Sequence, residues 1–307
     1  MNITRLINAS VVAIGVVLSA SALAQDIEAT EPQFETNILH ISWGGIAEAD
    51  VNEAERHWSN WTIHLIDGKT GYGWTSEESI KFPHELHFEL AGSGTINNIV
   101  LDNRFEPVIR EDGTFSQEAT GSSVKEFELL GSLAGKDGPY FSIAKGQANK
   151  DLRNAFALSE PVQARWLKLV IKSNWEGGGV TRLSELEING ELDERGAAAV
   201  EDVSGVYDHE YGDIILRQDG HEVYGCYGGG YGQLRGQIFG RIISLSWFSE
   251  IDQNIGSAAF SATDKKIYGF WYGQNNIMGS PWNSEKSSNL DGVDLGDCQQ
   301  AIYPSNN

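Results

Sequence analysis

Basic residues are scarce in this sequence, and their scarcity excludes two classes of partner. The 307 residues include 22 Lys and Arg against 43 Asp and Glu, which gives a formal net charge of -21. A protein that grips the phosphate backbone of nucleic acid needs a basic face, and one held on anionic lipid needs a basic cluster. We therefore expect no nucleic-acid partner and no electrostatic attachment to a membrane surface.

Long apolar runs are few, and the one present lies at the N-terminus. Arg5 precedes an apolar stretch over residues 6–18, and Ala22-Leu23-Ala24 follows with small residues at its first and third positions. A basic start, a short apolar core and this ending are typical of a secretory signal peptide, with a retained anchor as the alternative. We expect cleavage after Ala24 and a secreted or periplasmic protein. No membrane insertion is expected after cleavage, because no later run approaches about 18 apolar residues.

Cysteine is limited to Cys226 and Cys298. An even pair in a chain that leaves the reducing cytosol favours a disulfide, and two separate buried thiols are the alternative. The close Cys and His spacings typical of zinc sites are missing, so we expect no metal site built on cysteine.

Methionine is also rare, with 2 residues against 35 Gly, 9 Trp and 10 Tyr. This composition indicates a loop-rich β protein. Short runs that alternate apolar and polar residues, the period of a half-buried strand, recur between turn-forming clusters. Many short strands with few helical stretches indicate a sandwich or jelly roll. Residues 47–58 are the exception, since their fair helical propensity predicts one or two turns of helix.

The spacing of the strand-like segments changes near residue 200, which indicates two domains. Residues 193–202 are polar and then small, without a core pattern, and we interpret them as a linker. With a second linker at 25–36, the first predicted domain covers 37–192. From 203 to 307, strand candidates recur at about ten-residue spacing, which indicates a small antiparallel, barrel-like meander. Those candidates span residues 212–216, 222–227, 233–239, 242–248, 258–261 and 266–271.

Four motifs in the first predicted domain occur in the order found in discoidin, or coagulation-factor type C, domains. They are Leu65-Ile66-Asp67-Gly68 followed by Trp74, KEFELLGS at 125–132, ARWLKL at 164–169 and LSELEING at 183–190. Residues 37–192 therefore resemble this galactose-binding-like family, which implies a β jelly roll. The C-terminal domain lies outside the resemblance.

The resemblance also implies a structural calcium ion. Many members hold it with a loop acid, backbone carbonyls and an acid near the last strand, all hard oxygen ligands. Asp67 and Glu185 are the matching positions here. This sequence departs from the family at Lys69, where a further acid is common, and at Tyr72, where Thr or Ser is common. The alternative is that Asp67 only forms a turn and Glu185 is only a surface acid.

Members of the family are mostly glycan-binding modules, and sometimes bind lipids or proteins, through loops at one end of the barrel. A sugar ring needs flat apolar faces, and its hydroxyls need planar polar groups. Three loop clusters supply both, namely His57, Trp58 and Trp61; Asn103, Arg104 and Phe105; and Asn174 and Trp175. For single residues the alternatives are core packing, as for Trp58, or a surface ion pair, as for Arg104. We expect a neutral glycan or cell-surface polysaccharide, because an acidic face repels anionic ones.

No catalytic motif is visible in the sequence. A GxSxG nucleophile elbow is missing, and no carboxylate stands in a recognisable glycosidase motif. We therefore expect a non-catalytic glycan-binding protein. Two alternatives stay open: an adhesion or structural protein of the cell envelope, and a carbohydrate hydrolase with its site in the C-terminal domain. The aromatic residues of that domain form either a core or a pocket, and they are Tyr224, Tyr227, Tyr231, Trp247, Trp271 and Tyr272.

Overall fold

The computed structural model of the chain consists mainly of β-strands. The described residues are 25–26, 36–49, 61–70, 73–77, 81–104, 108–109, 115–116, 121–193, 202–209, 212–274 and 276–302. The predicted signal peptide and the candidate residues His57, Trp58 and Phe105 lie outside these ranges. Within them, no helix combines the length and apolar character that crossing a membrane requires.

Among the described residues, eleven strands form the first β body. They are β1 (Gln25–Asp26), β2 (Ile46–Ala49), β3 (Trp74–Thr75), β4 (His84–Asp102), β5 (Val108–Ile109), β6 (Phe115–Ser116), β7 (Glu126–Ser132), β8 (Phe141–Gln147), β9 (Arg153–Ile171), β10 (Arg182–Leu183) and β11 (Glu185–Leu192). In the described part of this body, short 3-10 helices cover Ile41–Trp43 and Thr62–Ile66.

The two long strands β4 and β9 organise this body. Its main sheet has the order β1-β8-β7-β9-β4-β11, with β2 also paired to β4. The start of β4 pairs with the end of β9, and register shifts after Glu89 and after Ile96 mark where the pair curls. The curled sheet encloses a core in which Trp74, Phe127 and Phe156 are completely buried. The predicted all-β jelly roll is confirmed.

Within residues 47–58, where one or two turns of helix are predicted, the structure describes only the segment 47–49, and it belongs to strand β2. Strand β2 pairs antiparallel with Leu86–Glu89 of β4, and Ile46 and Ala47 are buried there. Helix propensities of ordinary residues differ by at most about 0.7 kcal/mol, whereas burying one Ile side chain contributes about 1.5–3 kcal/mol. Pairing and burial therefore decide the conformation of this segment.

The second β body is a closed antiparallel barrel. Its strands are β12 (Gly205–Asp208), β13 (Ile214–Asp219), β14 (Glu222–Tyr227), β15 (Gly232–Phe239), β16 (Ile242–Ser249), β17 (Ile255–Ala262), β18 (Lys266–Gly273), β19 (Asn276–Pro281) and β20 (Ser284–Ser288). The order runs from β17 back to β12 and on through β20 to β18, and β18 pairs with β17 to close the circle. The predicted barrel-like meander is confirmed, and β19 lies beside β18.

The predicted disulfide is confirmed and fastens the C-terminal segment to the barrel. Cys226 of β14 is bonded to Cys298, 72 residues away in sequence. Both sulfur-bearing side chains are buried with Ile302, which ends the short helix α1 (Gln299–Ile302). The Arg217 guanidinium of β13 donates to the Ile302 carbonyl at 2.8 Å. The bridge therefore holds the chain end on the outside of β13 and β14.

The two bodies share an extensive interface. Tyr268 and Phe270 of β18 belong to the same apolar cluster as the core of the first body. The ammonium of Lys69 lies 4.8 Å from the ring centre of Tyr272. Arg241, in the turn between β15 and β16, is 2 % exposed and donates from Nε to the Gly44 carbonyl at 2.7 Å. The predicted boundary between domains falls largely on residues 194–201, outside the described ranges.

Candidate functional site

Four loop segments gather at one end of the first body. They are the Asn103–Arg104 segment after β4, residues 121–125 before β7, residues 148–152 before β9, and residues 172–181 after β9. Asn103 Nδ2 donates to the carbonyls of Val124 and Asn149, each at 2.9 Å, and the backbone N–H of Trp175 donates to Ser123 O at 3.2 Å. The second and third predicted loop clusters therefore lie at the same end of the sandwich.

Trp175 presents an aromatic surface that is fixed in position. Its indole Nε1 donates to the Ala148 carbonyl at 3.2 Å, and the ammonium of Lys125 lies 5.0 Å from its ring centre. Even so, 36 % of the residue stays exposed. A flat apolar face held in place is what a sugar ring stacks against.

Arg104 presents a planar set of donors close to the same loops. Its side chain is 50 % exposed, while that of its partner Asp102 is 2 % exposed. Asp102 accepts from Arg104 Nε at 2.9 Å and from Nη2 at 2.6 Å, and this bond raises the pKa of the guanidinium. The carboxylate fixes the orientation of the guanidinium, whose exposed part faces solvent.

The two candidate asparagines use their amides within the protein. Asn103 is completely buried and bridges two loops through the bonds described above. Asn174 is 2 % exposed, and its Oδ1 accepts from the backbone N–H groups of Gly177 and Gly178 at 2.8 and 3.1 Å. Both side chains shape the loops that carry Arg104 and Trp175, and their assignment to ligand contact stays a prediction.

Trp61 lies beside the mouth of the barrel. It begins the 3-10 helix at Thr62–Ile66 and is half-buried against the core of the first body. It also lines a cleft at the mouth of the barrel together with Tyr227, Trp247 and Trp271. In the sequence, only the aromatic residues of the C-terminal half indicated this cleft. Trp282, Asp208 and Asp252 also line it, and no sequence pattern identified them.

The two residues proposed for calcium lie together beneath the loop that follows Thr62–Ile66. The N–H of Gly68 donates to Glu185 Oε1 at 3.0 Å, and Asp67 accepts from His64 Nδ1 at 2.9 Å and from the N–H of Lys69 at 2.9 Å. Burial, followed by the nearby charge of Asp67, raises the pKa of Glu185 well above its ordinary value. Glu185 Oε2 is buried without a hydrogen-bond partner in the described part of the chain.

The arrangement of the Asp67 and Glu185 carboxylates is better suited to a site with a bound calcium ion than to one without a cation. A buried carboxylate oxygen without a partner, next to a second carboxylate, is a costly arrangement unless a cation compensates it. Calcium accepts carboxylate and backbone carbonyl oxygens, so Asp67 and Glu185 can supply the side-chain ligands. The described residues contain no cluster of three or more His, Cys, Asp or Glu suited to a metal, so the remaining ligands would be carbonyls or water.

Comparison with other proteins reveals one curated relative of significant similarity, and no family model matches the chain. A sialidase of Micromonospora viridifaciens is 26% identical over 152 residues, which are 48% of this chain and 21% of the relative. The chain therefore spans about a fifth of that protein's length.

Solved structures similar to about half of the chain include family 32 carbohydrate-binding modules. The module of Clostridium perfringens NanJ in complex with galactose is 15% identical and covers 50% of this chain and 97% of its own, with a TM-score of 0.37. That of Streptococcus pneumoniae EndoD is 16% identical and covers 51% and 100%, with a TM-score of 0.39. At these scores the likeness carries no conclusion about ligands.

Proposed function

We propose that this chain is an exported, non-catalytic carbohydrate-binding protein that takes a neutral glycan at the loop end of its first body. The observation that carries the proposal is the exposed but fixed indole of Trp175 on the loop end that also holds the half-exposed guanidinium of Arg104. Stacking on an aromatic face and planar hydrogen bonds to hydroxyls are the two needs of sugar recognition.

Three further observations support this proposal. The relative that is 26% identical is named as a sialidase, which makes carbohydrate the first ligand class to test. The Cys226–Cys298 bridge favours an oxidising compartment, in keeping with export by the predicted signal peptide. The net charge of -21 favours neutral over anionic glycans. An adhesion role, or a hydrolase site in the barrel, stays an alternative prediction.

Trp175→Ala is expected to lower the affinity for a neutral glycan about tenfold or more. The substitution removes the stacking face and leaves the loop bonds made by Asn174 in place, so about 1.4 kcal/mol or more of binding free energy is lost. An array of neutral glycans would identify the ligand, and titration calorimetry on the full chain would give both dissociation constants.

Phe239→Ala is the matched control, because Phe239 is a 59 % exposed aromatic residue on the barrel. It should leave the affinity unchanged. A wild-type chain that binds no neutral glycan, or a Trp175→Ala chain that binds as tightly as wild type, would contradict the proposal.

We propose in addition that calcium binds at Asp67 and Glu185 and serves the stability of the loop end. Bound there, the ion would compensate the buried carboxylates. The backbone bond from Gly68 to Glu185 already holds the loop against β11. A calcium ion would add a second link between these segments and so stiffen the base on which the neighbouring Asp102 and Arg104 lie.

In chelator, Glu185→Gln is expected to raise the melting temperature at pH 7 by roughly 3 °C or more. The folded pKa of Glu185 lies above its ordinary value of 4.5, so its ionisation opposes folding. The penalty is absent below the unfolded pKa and grows as the pH rises toward the folded pKa. The gain from Glu185→Gln should therefore vanish near pH 4. Differential scanning calorimetry across this pH range measures it.

Calcium should reverse the order of the melting temperatures of wild type and Glu185→Gln. It is expected to raise the melting temperature of the wild type and to leave that of Glu185→Gln almost unchanged. Glu191→Gln, an exposed acid on the same strand, is the control and should respond to calcium as wild type does. Equal wild-type melting temperatures in calcium and in chelator would remove the calcium proposal.

A further inference from the structure

The mouth of the barrel contains a second candidate site. It is a concave cleft, unlike the exposed loop end of the first body. A cleft of about 740 Å³ opens where β12, β14, β16 and β18 end, and Trp61 of the first body forms part of its wall. Small-molecule sites in proteins usually enclose about 300–1,000 Å³. Eight-stranded barrels are just wide enough to hold one small ligand at or below the mouth.

The aromatic walls of the cleft are held in fixed orientations. Tyr227 contacts Trp282 edge to face, with ring centres 5.4 Å apart, and Trp247 contacts Trp271 in the same way at 5.8 Å. Trp247 Nε1 also donates to the Tyr272 carbonyl at 2.9 Å. The ring of Trp247 has room because Gly256 lies beside it, where a Cβ would approach within 2.5 Å of the indole. A ligand therefore meets preformed flat surfaces.

Two acidic side chains and one histidine, His209, line the cleft. Asp208 and Asp252 line it, and among the described lining residues there is no Lys or Arg. Hydrogen bonds from Ser249 and Asn254 lower the pKa of Asp252, and Asn254 Nδ2 donates to Asp252 at 2.6 Å. Asn283 and Gln274 add neutral donors and acceptors to the same wall. The cleft thus combines flat apolar faces, planar amides and two carboxylates.

The indole nitrogen of Trp282 is a buried polar atom without a partner among the described residues. Trp282 is 7 % exposed, and its indole N–H has no hydrogen-bond acceptor in the described part of the structure. Buried donors without an acceptor are rare in native proteins, and each calls for a ligand, a water or strain. Trp282 is also one of the residues that line the cleft.

We propose that the cleft binds a short oligosaccharide that carries free, protonated amino groups. The aromatic faces suit pyranose rings, and the amides suit hydroxyl groups. Asp208 and Asp252 would pair with ammonium groups, and ammonium over aromatic rings is attractive in addition. The same carboxylates repel uronic and sialic acids, and a neutral sugar can offer them hydroxyl hydrogen bonds but no ion pair. The proposal does not depend on glycan binding at the loop end.

The test uses the full chain and the tetramer of β-1,4-linked glucosamine at about pH 6, where its amines are protonated. Intrinsic tryptophan fluorescence and calorimetry would report binding. The amine tetramer is expected to bind at least tenfold more tightly than its N-acetylated counterpart. Asp208→Asn/Asp252→Asn should abolish that preference, and because both acids are exposed the double variant is expected to fold, which circular dichroism checks.

Two controls separate this site from others. Asp219→Asn/Asp264→Asn makes the same change of charge with exposed acids at the opposite ends of the barrel strands, and should keep the preference. Phe239→Ala, an exposed aromatic residue at the end of β15 away from the cleft, should keep it as well, while Trp271→Ala should weaken binding of both tetramers. Equal affinity for the two tetramers, no binding by wild type, or loss of the preference in either control would overturn the proposal.

Discussion

Replacement of Arg241 by alanine is expected to lower the free energy of unfolding by about 3–5 kcal/mol, the usual cost of breaking a buried ion pair on one side. The guanidinium lies in the interface and bonds to Glu89 through Nη1 at 3.0 Å, to Glu89 O through Nη2 at 3.1 Å and to Gly44 O through Nε at 2.7 Å. Alanine leaves the Gly44 carbonyl unpaired, and Glu89 keeps only Arg165 as a basic partner among its described contacts. Denaturant titration followed by circular dichroism measures the loss.

Arg235→Ala is the control for this loss, since Arg235 is an exposed arginine on the adjoining strand. It should change the unfolding free energy by less than about 0.5 kcal/mol. Arg241→Lys is expected to recover only part of the lost stability, because an ammonium group cannot reproduce the three hydrogen bonds that the planar guanidinium makes. Burial lowers the pKa of Arg241, yet the guanidinium stays charged at any ordinary pH. Wild-type stability in Arg241→Ala would contradict the role of this turn in the interface.

The double variant Cys226→Ala/Cys298→Ala is expected to lose about 4 kcal/mol of stability, the chain-entropy cost for a closed loop of this length. The bridge joins residues 72 apart, and the loop contains β15 to β20. Without it the unfolded barrel gains conformational freedom, and the buried contact between Cys298, Ile302 and β14 loses its covalent link. The midpoint of denaturant unfolding, compared with wild type, gives the loss.

Reduction of the wild-type protein supplies an independent check on the same bridge. Wild type in reductant should unfold at the lower midpoint of the double variant, and the double variant should be insensitive to reductant. Alkylation of unreduced wild type should leave its mass unchanged. Two labelled thiols in the unreduced protein, or equal midpoints for wild type and the double variant, would contradict this prediction.

The barrel strands could be predicted from the sequence because their signal is local. Alternation of apolar and polar side chains reports which face of a strand is buried, and it needs no knowledge of the partner. The expected strand at 222–227 coincides with β14, and those at 233–239 and 242–248 lie within one residue of β15 and β16. Even so, β12 and β20, which close the barrel, went unpredicted because they are short and weakly patterned.

The site was predicted less completely, because its parts are joined by long-range contacts. Arg104 and Trp175 were identified as residue types, but Asp102 and Ala148, which fix them, became visible only through hydrogen bonds in the folded chain. Trp61 was grouped with the loop end, and the structure brings it to the cleft at the barrel mouth. Asp252 belongs to that cleft because strand pairing brings segments far apart in the chain together at the barrel mouth. The spacing of residues in the sequence does not reveal this arrangement.

The sequence by itself determined the all-β class, the rhythm of the barrel hairpins, the cysteine pair as a disulfide and the acidic surface. Each of these follows from composition or from neighbours within a few residues. Only the tertiary structure decided that Ile46–Ala49 is a strand, that Arg241 is buried between the two bodies, and that Asp102 orients Arg104. The physical reason is that pairing, burial and desolvation depend on segments far apart in sequence, and their energies exceed the local propensities that a sequence displays.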